Sequence, residues 1–271
     1  MIFRNFVEIH NQYRKSVHAL NDDLRFWAHF INNWAIPEYK RLNVPMIIYE
    51  SAYSTYDSSI ETSSDLLKFH SEGREIHSDD LEIHSKDFFN WLMNLSIVRA
   101  YNSLEILMLQ VIDVIFLGSN FNSVLGKQDI NRINNSVIEH LITPSDRINN
   151  KHLVNYLCEN SPSFNQWIQA ELRIDCSTTW HEYFYLMSVL RHIVTHQAMV
   201  LNKNLLNEIK SKYCKDVFER YFKVNEIHKN MYELKPNQDN FLSLLDFSMQ
   251  FAANTLKFIA KEPNFDFLDM K

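Results

Sequence analysis

Between residues 3 and 34 apolar side chains recur three and four positions apart: Phe3, Phe6, Tyr13, Val17, Leu20, Leu24, Trp27, Ile31 and Trp34, with His10 in the same register. The spacing predicts one long helix with a continuous apolar seam, closed by Pro37. Such a seam packs either on neighbouring helices of a bundle or on a second copy of itself. Over 36–86 the periodicity fails. The stretch "VPMIIYESAYSTYDSSIETSS" is rich in Ser, Thr and Tyr and reads as an irregular insertion with one short strand at 46–49. Residues 87–117 are apolar on most sides and predict a central helix, in which Arg99 and Glu105 are rare charges needing partners. Residues 118–177 read as short helices and loops, with "NKHLVNYLCEN" and "SFNQWIQAEL" the helical pieces. Ser177, Thr178 and Thr179 cap a further helix running to about residue 200. An amphipathic, rather basic helix over 205–221, a hairpin made of "YFKVN" and "MYELK", and a last helix over 240–261 complete the pattern.

Composition agrees with this outline. Only 3 Gly and 6 Pro in 271 residues leave little material for tight hairpins, barrels or glycine-rich phosphate loops. No Pro, Gly or Ser-rich linker divides the chain, so a single domain over 1–271 is expected: an all-α bundle with a long inserted connection and a minor β-hairpin. The net charge of -6 gives no global attraction to a polyanion, so any nucleic-acid contact has to come from a local patch. Cys158, Cys176 and Cys214 are far apart and lack CxxC spacing, which fits neither a disulfide framework nor a zinc site but does fit a reducing cytoplasm. No signal peptide is expected, and no membrane span, because Glu105, Gln110 and Asp113 interrupt the greasiest run.

Two groups of histidines stand out. A near-repeat, "FHSEGRE", "IHSDDLE", "IHSKDF", places His70, His77 and His84 seven apart, on one face if the segment were helical. At that spacing they lie too far apart to hold one metal ion, and a solvated acidic segment is expected. The second group is in "SVLRHIVTHQ", residues 188–197. At about 100° per residue, Tyr183, Leu186, Met187, Leu190, Ile193, Val194 and Ala198 fall on one arc, with Gln197 its polar exception. Ser188, Arg191, His192, Thr195 and His196 gather opposite, where an ordinary solvated face would carry Lys and Glu; neither occurs over 188–199. Arginine is a permanent cation whose fork matches a phosphate, and histidine exchanges protons near neutral pH. Together they suit cleavage of an RNA phosphodiester, in which the neighbouring 2'-hydroxyl attacks.

The stretch "LRHIVTH" resembles the Arg-x4-to-6-His signature of the HEPN superfamily (higher eukaryotes and prokaryotes nucleotide-binding), in which a polar residue follows the arginine. Arg191, His192 and His196 occupy those positions, and the resemblance covers 87–200 in architecture but few residues in identity. It implies a helical bundle with the motif on a late core helix, flanked here by helices 3–34 and 240–261. An earlier apolar helix carries a glutamate, similar to Glu105 in "RAYNSLEILMLQ". It further implies a metal-independent endoribonuclease with no cofactor, active as a homodimer with a composite site. Arg191 would bind the scissile phosphate and His196 act as general acid or base, with His192, Thr195 and Ser188 in support. Many relatives are toxins or antiphage-defence effectors, so an antitoxin or other regulatory protein is a further expected partner. The alternative is a non-catalytic HEPN module binding RNA, nucleotide or a protein. A metal pair at His192 and His196 is the weaker option, for no HExxH glutamate or third ligand accompanies it. Two other pairs share the spacing: Arg4 with His10, whose histidine belongs to the apolar seam, and Arg147 with His152, in a loop-like stretch. A modest excess of Lys203, Lys210, Lys212, Lys215, Arg220 and Lys223 over Glu208, Asp216 and Glu219 follows the motif and would either steer RNA or form a solvated face.

Overall fold

The seam of the first helix, α1 (Ile2–Phe30), is buried from Phe6 to Leu24, whereas Trp27 and Trp34 farther along it are 40% and 66% exposed. Ile9, one residue before the expected His10, takes a fully buried place, and His10 is only half-buried. Pro37 does not close the helical run. A π turn over Ile31–Ala35, completed by a bond from the Ile36 N–H to the Ile31 carbonyl, leads into α2 (Ile36–Arg41). There Pro37 sits in the first turn of α2, and the π turn just before it takes up the break that its missing N–H leaves in the ladder.

The computed structural model describes residues 2–42, 46–56, 67–77, 80–139, 150–173, 176–197, 199–212 and 215–261. Pro144, Arg147, Ala198, Cys214 and the side chain of Phe3 lie outside them. By its contacts the chain divides into two units, one of residues 1–24 with 90–271 and one of 25–89.

The smaller unit overturns the expectation of an irregular insertion. Strands β1 (Met46–Tyr56) and β2 (Leu67–His77) pair antiparallel along their full length, from Met46 opposite His77 to Tyr56 opposite Leu67. Pairing joins two segments across an intervening stretch, which the periodicity of neither segment alone reports. His70 and His77 stand on β2, while His84 stands on α3 (Leu81–Val111), so no helical face carries all three. The rings of Phe26, Trp27, Phe30 and Phe88 cluster in this unit, with Trp27 and Phe88 6.2 Å apart edge to face.

In the larger unit α3 is the central helix. Ile97, Ala100, Tyr101, Leu104, Leu107, Met108 and Val111 are at most 1% exposed. The helical run Leu81–Phe116 is long and apolar enough to cross a membrane by length and composition alone, and 56% of its most apolar window is buried within the protein. It ends in a π turn, Ile112–Phe116, that holds Asp113 in the interior; the carboxylate accepts from Arg132 of α4 (Lys127–Glu139) at 2.5 Å and from Ser119 at 3.0 Å. Helices α5 (Asn150–Asn160) and α6 (Pro162–Ile168) follow, then an unforeseen small hairpin of β3 (Glu171–Arg173) and β4 (Cys176–Thr179). Helix α7 (Trp180–His196) carries the Arg and His motif and runs into β5 (Val200–Asn202). The basic helix expected over 205–221 is two elements, α8 (Lys203–Lys212) and α9 (Lys215–Tyr221). The expected hairpin is present as β6 (Phe222–His228) and β7 (Met231–Pro236), with β5 added against β7 as a third antiparallel strand. Helix α10 (Phe241–Ile259) is the last among the described residues. The architecture is therefore mostly helical with small sheets of two and three strands, not purely helical.

Arg132 is half exposed, whereas the Asp113 side chain is 3% exposed. Arg132→Ala strands a carboxylate in the interior and is expected to cost about 2 kcal/mol in urea unfolding, more than Asp113→Asn, which removes the charge itself. Burial, and secondarily the charge of Glu159, pushes the Cys158 thiol from its ordinary 9.0 up to about 11. Between those values the unfolded chain has lost a proton that the folded chain keeps, so stability falls as pH rises through that window. Cys158→Ala should flatten that fall, and alkylation of Cys158 should stay slow at pH 8.

Candidate functional site

Both ends of α7 are held firmly. At its start the Thr179 hydroxyl accepts from the Glu182 N–H at 3.2 Å, while the Glu182 carboxylate accepts from the Thr179 N–H at 2.8 Å. This reciprocal cap is built by Thr179 alone; Ser177, expected to share it, donates instead to Asp216 at 3.1 Å. At its end the chain turns at Met199, whose φ of +63° is left-handed, and the Met199 carbonyl accepts from Leu234 on β7 at 2.9 Å. Buried Met199, Leu201 and Leu234 tie this turn into the three-stranded sheet.

Between these anchors one face of α7 is core: Trp180, Tyr183, Phe184, Leu186, Met187, Leu190 and Ile193 are all buried. Val194 is half-buried. On the other side Ser188 and Arg191 are half-buried, and His192, Thr195 and His196 are exposed. The rings of His192 and His196 lie 4.9 Å apart at 49°, as an i,i+4 pair should.

Arg191 is the unusual member. Its Nε is fully buried and has no hydrogen-bond partner, and among the described residues no carboxylate lies within ion-pair distance of its guanidinium. An unpaired buried N–H costs about 1–3 kcal/mol, so a stabilising core contact does not account for it. Glu105, half-buried on α3, does not supply the missing partner. Thr195 is not directed at the histidines: its hydroxyl donates to the Arg191 carbonyl at 2.8 Å, within its own helix. Arg191 and His196 are about 140° apart around the helix axis, and no hydrogen bond joins them within one chain. Among the described residues, no third His, Cys, Asp or Glu joins His192 and His196 in a group that could hold a metal ion.

The two rival pairs differ in kind. Arg4 is already neutralised by Glu8 at 2.9 Å, and burial followed by the charge of Arg14 holds His10 below its ordinary pKa. His152 is buried on α5 at 9% exposure, and Arg147 lies outside the described residues. In the basic segment Lys210 pairs with Glu219 at 3.2 Å, while Lys203, Arg220 and Lys223 are exposed. A small pocket between α1 and α3, lined by Gln12, Tyr13, Ser16, Ser103 and Gln110 among others, contains none of the motif residues. His181 and Tyr185 lie on the same side of α7 as His192 and His196, a placement for which their spacing at i+4 is the signal in the sequence.

No known protein family matches the chain, and no curated protein or solved structure is detectably similar to it.

A methionine at position 191 keeps the length of the stem and removes the unpaired N–H groups. Arg191→Met is therefore expected to unfold in urea within about 1 kcal/mol of the parent, or later than it. A loss of several kcal/mol would make Arg191 a structural fastener.

Proposed function

We propose that the protein is a metal-independent endoribonuclease of HEPN type. The observation that carries this reading is a guanidinium without a partner, anchored in a core helix next to an exposed pair of histidines. A cation held without its counter-ion is prepared for an anion, and the phosphodiester of RNA presents a pair of non-bridging oxygens that the guanidinium fork matches. The reaction is transfer within the RNA. A base takes the proton of a 2'-hydroxyl, the freed oxygen attacks the adjacent phosphorus, and an acid gives a proton to the departing 5'-oxygen, leaving a 2',3'-cyclic phosphate. Arg191 binds the phosphate oxygens as charge accumulates on them, and His196 exchanges the proton.

Among the described residues the imidazole beside His196 is that of His192, on the same side of α7, so the reading includes a homodimer that brings a second one from across. Two copies meeting near residues 188–195 supply an arginine and a histidine each, and one imidazole acts as base while the other acts as acid. The resemblance to HEPN proteins adds a biological setting, a cytoplasmic toxin or antiphage-defence effector restrained by an antitoxin or other regulatory partner. Glu105 enters this reading only by that resemblance.

The test is cleavage of labelled RNA by the purified chain in excess EDTA, with the new ends analysed for cyclic phosphate. Arg191→Ala and His196→Ala should each lower the rate on the order of 10²- to 10⁴-fold without moving the melting temperature, and Arg4→Ala and His10→Ala should leave the rate unchanged. Light scattering should find a dimer at micromolar concentration. If His196→Ala cleaved as fast as the parent, the ribonuclease reading would fall. RNA binding without cleavage would leave the non-catalytic module, and dependence on added metal would point to the histidine pair as ligands.

A further inference from the structure

The apolar seam of α1 runs on after its buried part ends, and in the smaller unit it stays largely open. Phe26, Trp27, Phe30 and Trp34 are 60%, 40%, 42% and 66% exposed. At 100° per residue Phe26, Phe30 and Trp27 fall within an arc of about 100°. Trp34, about one turn past Phe30 on the π turn, stays on the same side. The rings are already gathered: Phe26 stacks on Phe30 at 6.1 Å, and Trp27 stands edge-on to both. No Lys, Arg, Asp or Glu occurs from Phe26 to Pro37. An exposed patch that is aromatic and uncharged at its centre has the composition of an interface core.

The smaller unit has a physical need for such an interface. Among its described side chains only Phe89 is buried, so they supply almost no core to offset the entropy of ordering residues 25–89. A cover that the fold itself requires has to be present wherever the chain is made, and the partner present with every copy is another copy. The stripe is also symmetric about Phe30, with Phe26 one turn before it and Trp34 one turn after. A two-fold axis at Phe30 therefore sets Phe26 against Trp34 of a second copy, twice, in an antiparallel crossing. The four rings present about 400 Å² per copy, half of what one side of a standard interface buries, which is the share of an apolar core inside a polar rim. A lipid surface is the poorer occupant, because cations that follow the stripe are engaged: Lys40 with Glu82 at 2.9 Å and Arg41 with Glu38 at 2.7 Å. We propose that Phe26, Trp27, Phe30 and Trp34 form a docking face for the same face of a second copy of this chain. The interface uses no residue of α7 and does not rest on the ribonuclease reading.

Oxidative cross-linking of the full-length chain tests it, because a residue on a two-fold axis meets its own copy. Phe30→Cys should give a disulfide-linked dimer. Asn32→Cys, on the opposite side of the helix, should not, and neither should the parent, whose own cysteines give the background. Phe30→Glu sets two carboxylates against each other. In sedimentation velocity it should raise the dissociation constant of self-association roughly 30-fold or more, the effect of losing one hot-spot side chain. Phe30→Leu should stay within a few fold of the parent. Should Phe30→Glu not fold, as judged by thermal melting, Trp34→Ser carries the same test. Absence of the Phe30→Cys disulfide, equal cross-linking of Asn32→Cys, or unchanged self-association in Phe30→Glu would overturn the docking face. So would binding of the parent to vesicles of phosphatidylcholine and phosphatidylserine that Phe30→Glu abolishes, which would assign the stripe to a lipid surface. The disulfide separates this interface from a dimer formed near residues 188–195. A chain that cross-links through Phe30→Cys but cleaves no RNA keeps the interface and loses the ribonuclease; one that cleaves RNA without the cross-link does the reverse.

Discussion

The site proposed for this protein depends on the aromatic face of α7 being locked into the core. Phe184 meets Tyr101 of α3 at 5.5 Å and stacks on Phe251 of α10 at 5.5 Å. Trp180 lies 5.4 Å from Trp167 of α6, and Tyr183 lies 5.8 Å from Phe247. Each such pair contributes about 0.5–1.5 kcal/mol beyond its buried area. Their larger effect is geometric, because rings packed at interior density leave a helix no freedom to rotate about its axis. The Tyr183 hydroxyl, which donates to the Leu244 carbonyl at 3.0 Å and lies 2.7 Å from the Ser248 hydroxyl, adds a directional lock inside the same packing. With one face fixed, the direction of Arg191, His192 and His196 is fixed as well.

That rigidity explains how an uncompensated guanidinium can persist. On a loop Arg191 would swing out to water or find an acid; on a helix capped at Thr179 and tethered at Met199 its stem stays beside the core. Arg4 and Lys210 do not share this preparation. Both have carboxylate partners, and the chain as a whole is acidic. With a net charge of -6, attraction for a polyanion has to come from a local patch and not from the molecule as a whole.

The smaller unit follows different physics. Its hairpin is a two-stranded ribbon with no third strand among the described residues, a form in which cross-strand pairs are the unit of stabilisation. Its helical part leaves Phe26 60% exposed and Trp34 66% exposed. The periodic seam of α1 runs through both kinds of environment unchanged, which shows that apolar spacing specifies a helix and one of its faces, but not what covers that face.

Helix content, the core arc of α7, the capping threonine and the late hairpin were all legible in the sequence. Each is set by local chemistry or by a repeat of 3.6 residues, and neither needs knowledge of distant partners. Ile9 instead of His10 in the first seam, the continuation of helix past Pro37, the β1 and β2 ribbon, and the addition of β5 to the late hairpin were not. Those outcomes turn on which segments meet. A π turn takes up the break a proline makes, a ribbon forms where two segments find each other across a connection, and a third strand joins only where the fold delivers it to an open edge. The same division holds at the site. The sequence by itself placed an arginine and two histidines on one non-core face; only the tertiary structure decided that this arginine has no partner, because pairing depends on what lies across space and not on what lies along the chain.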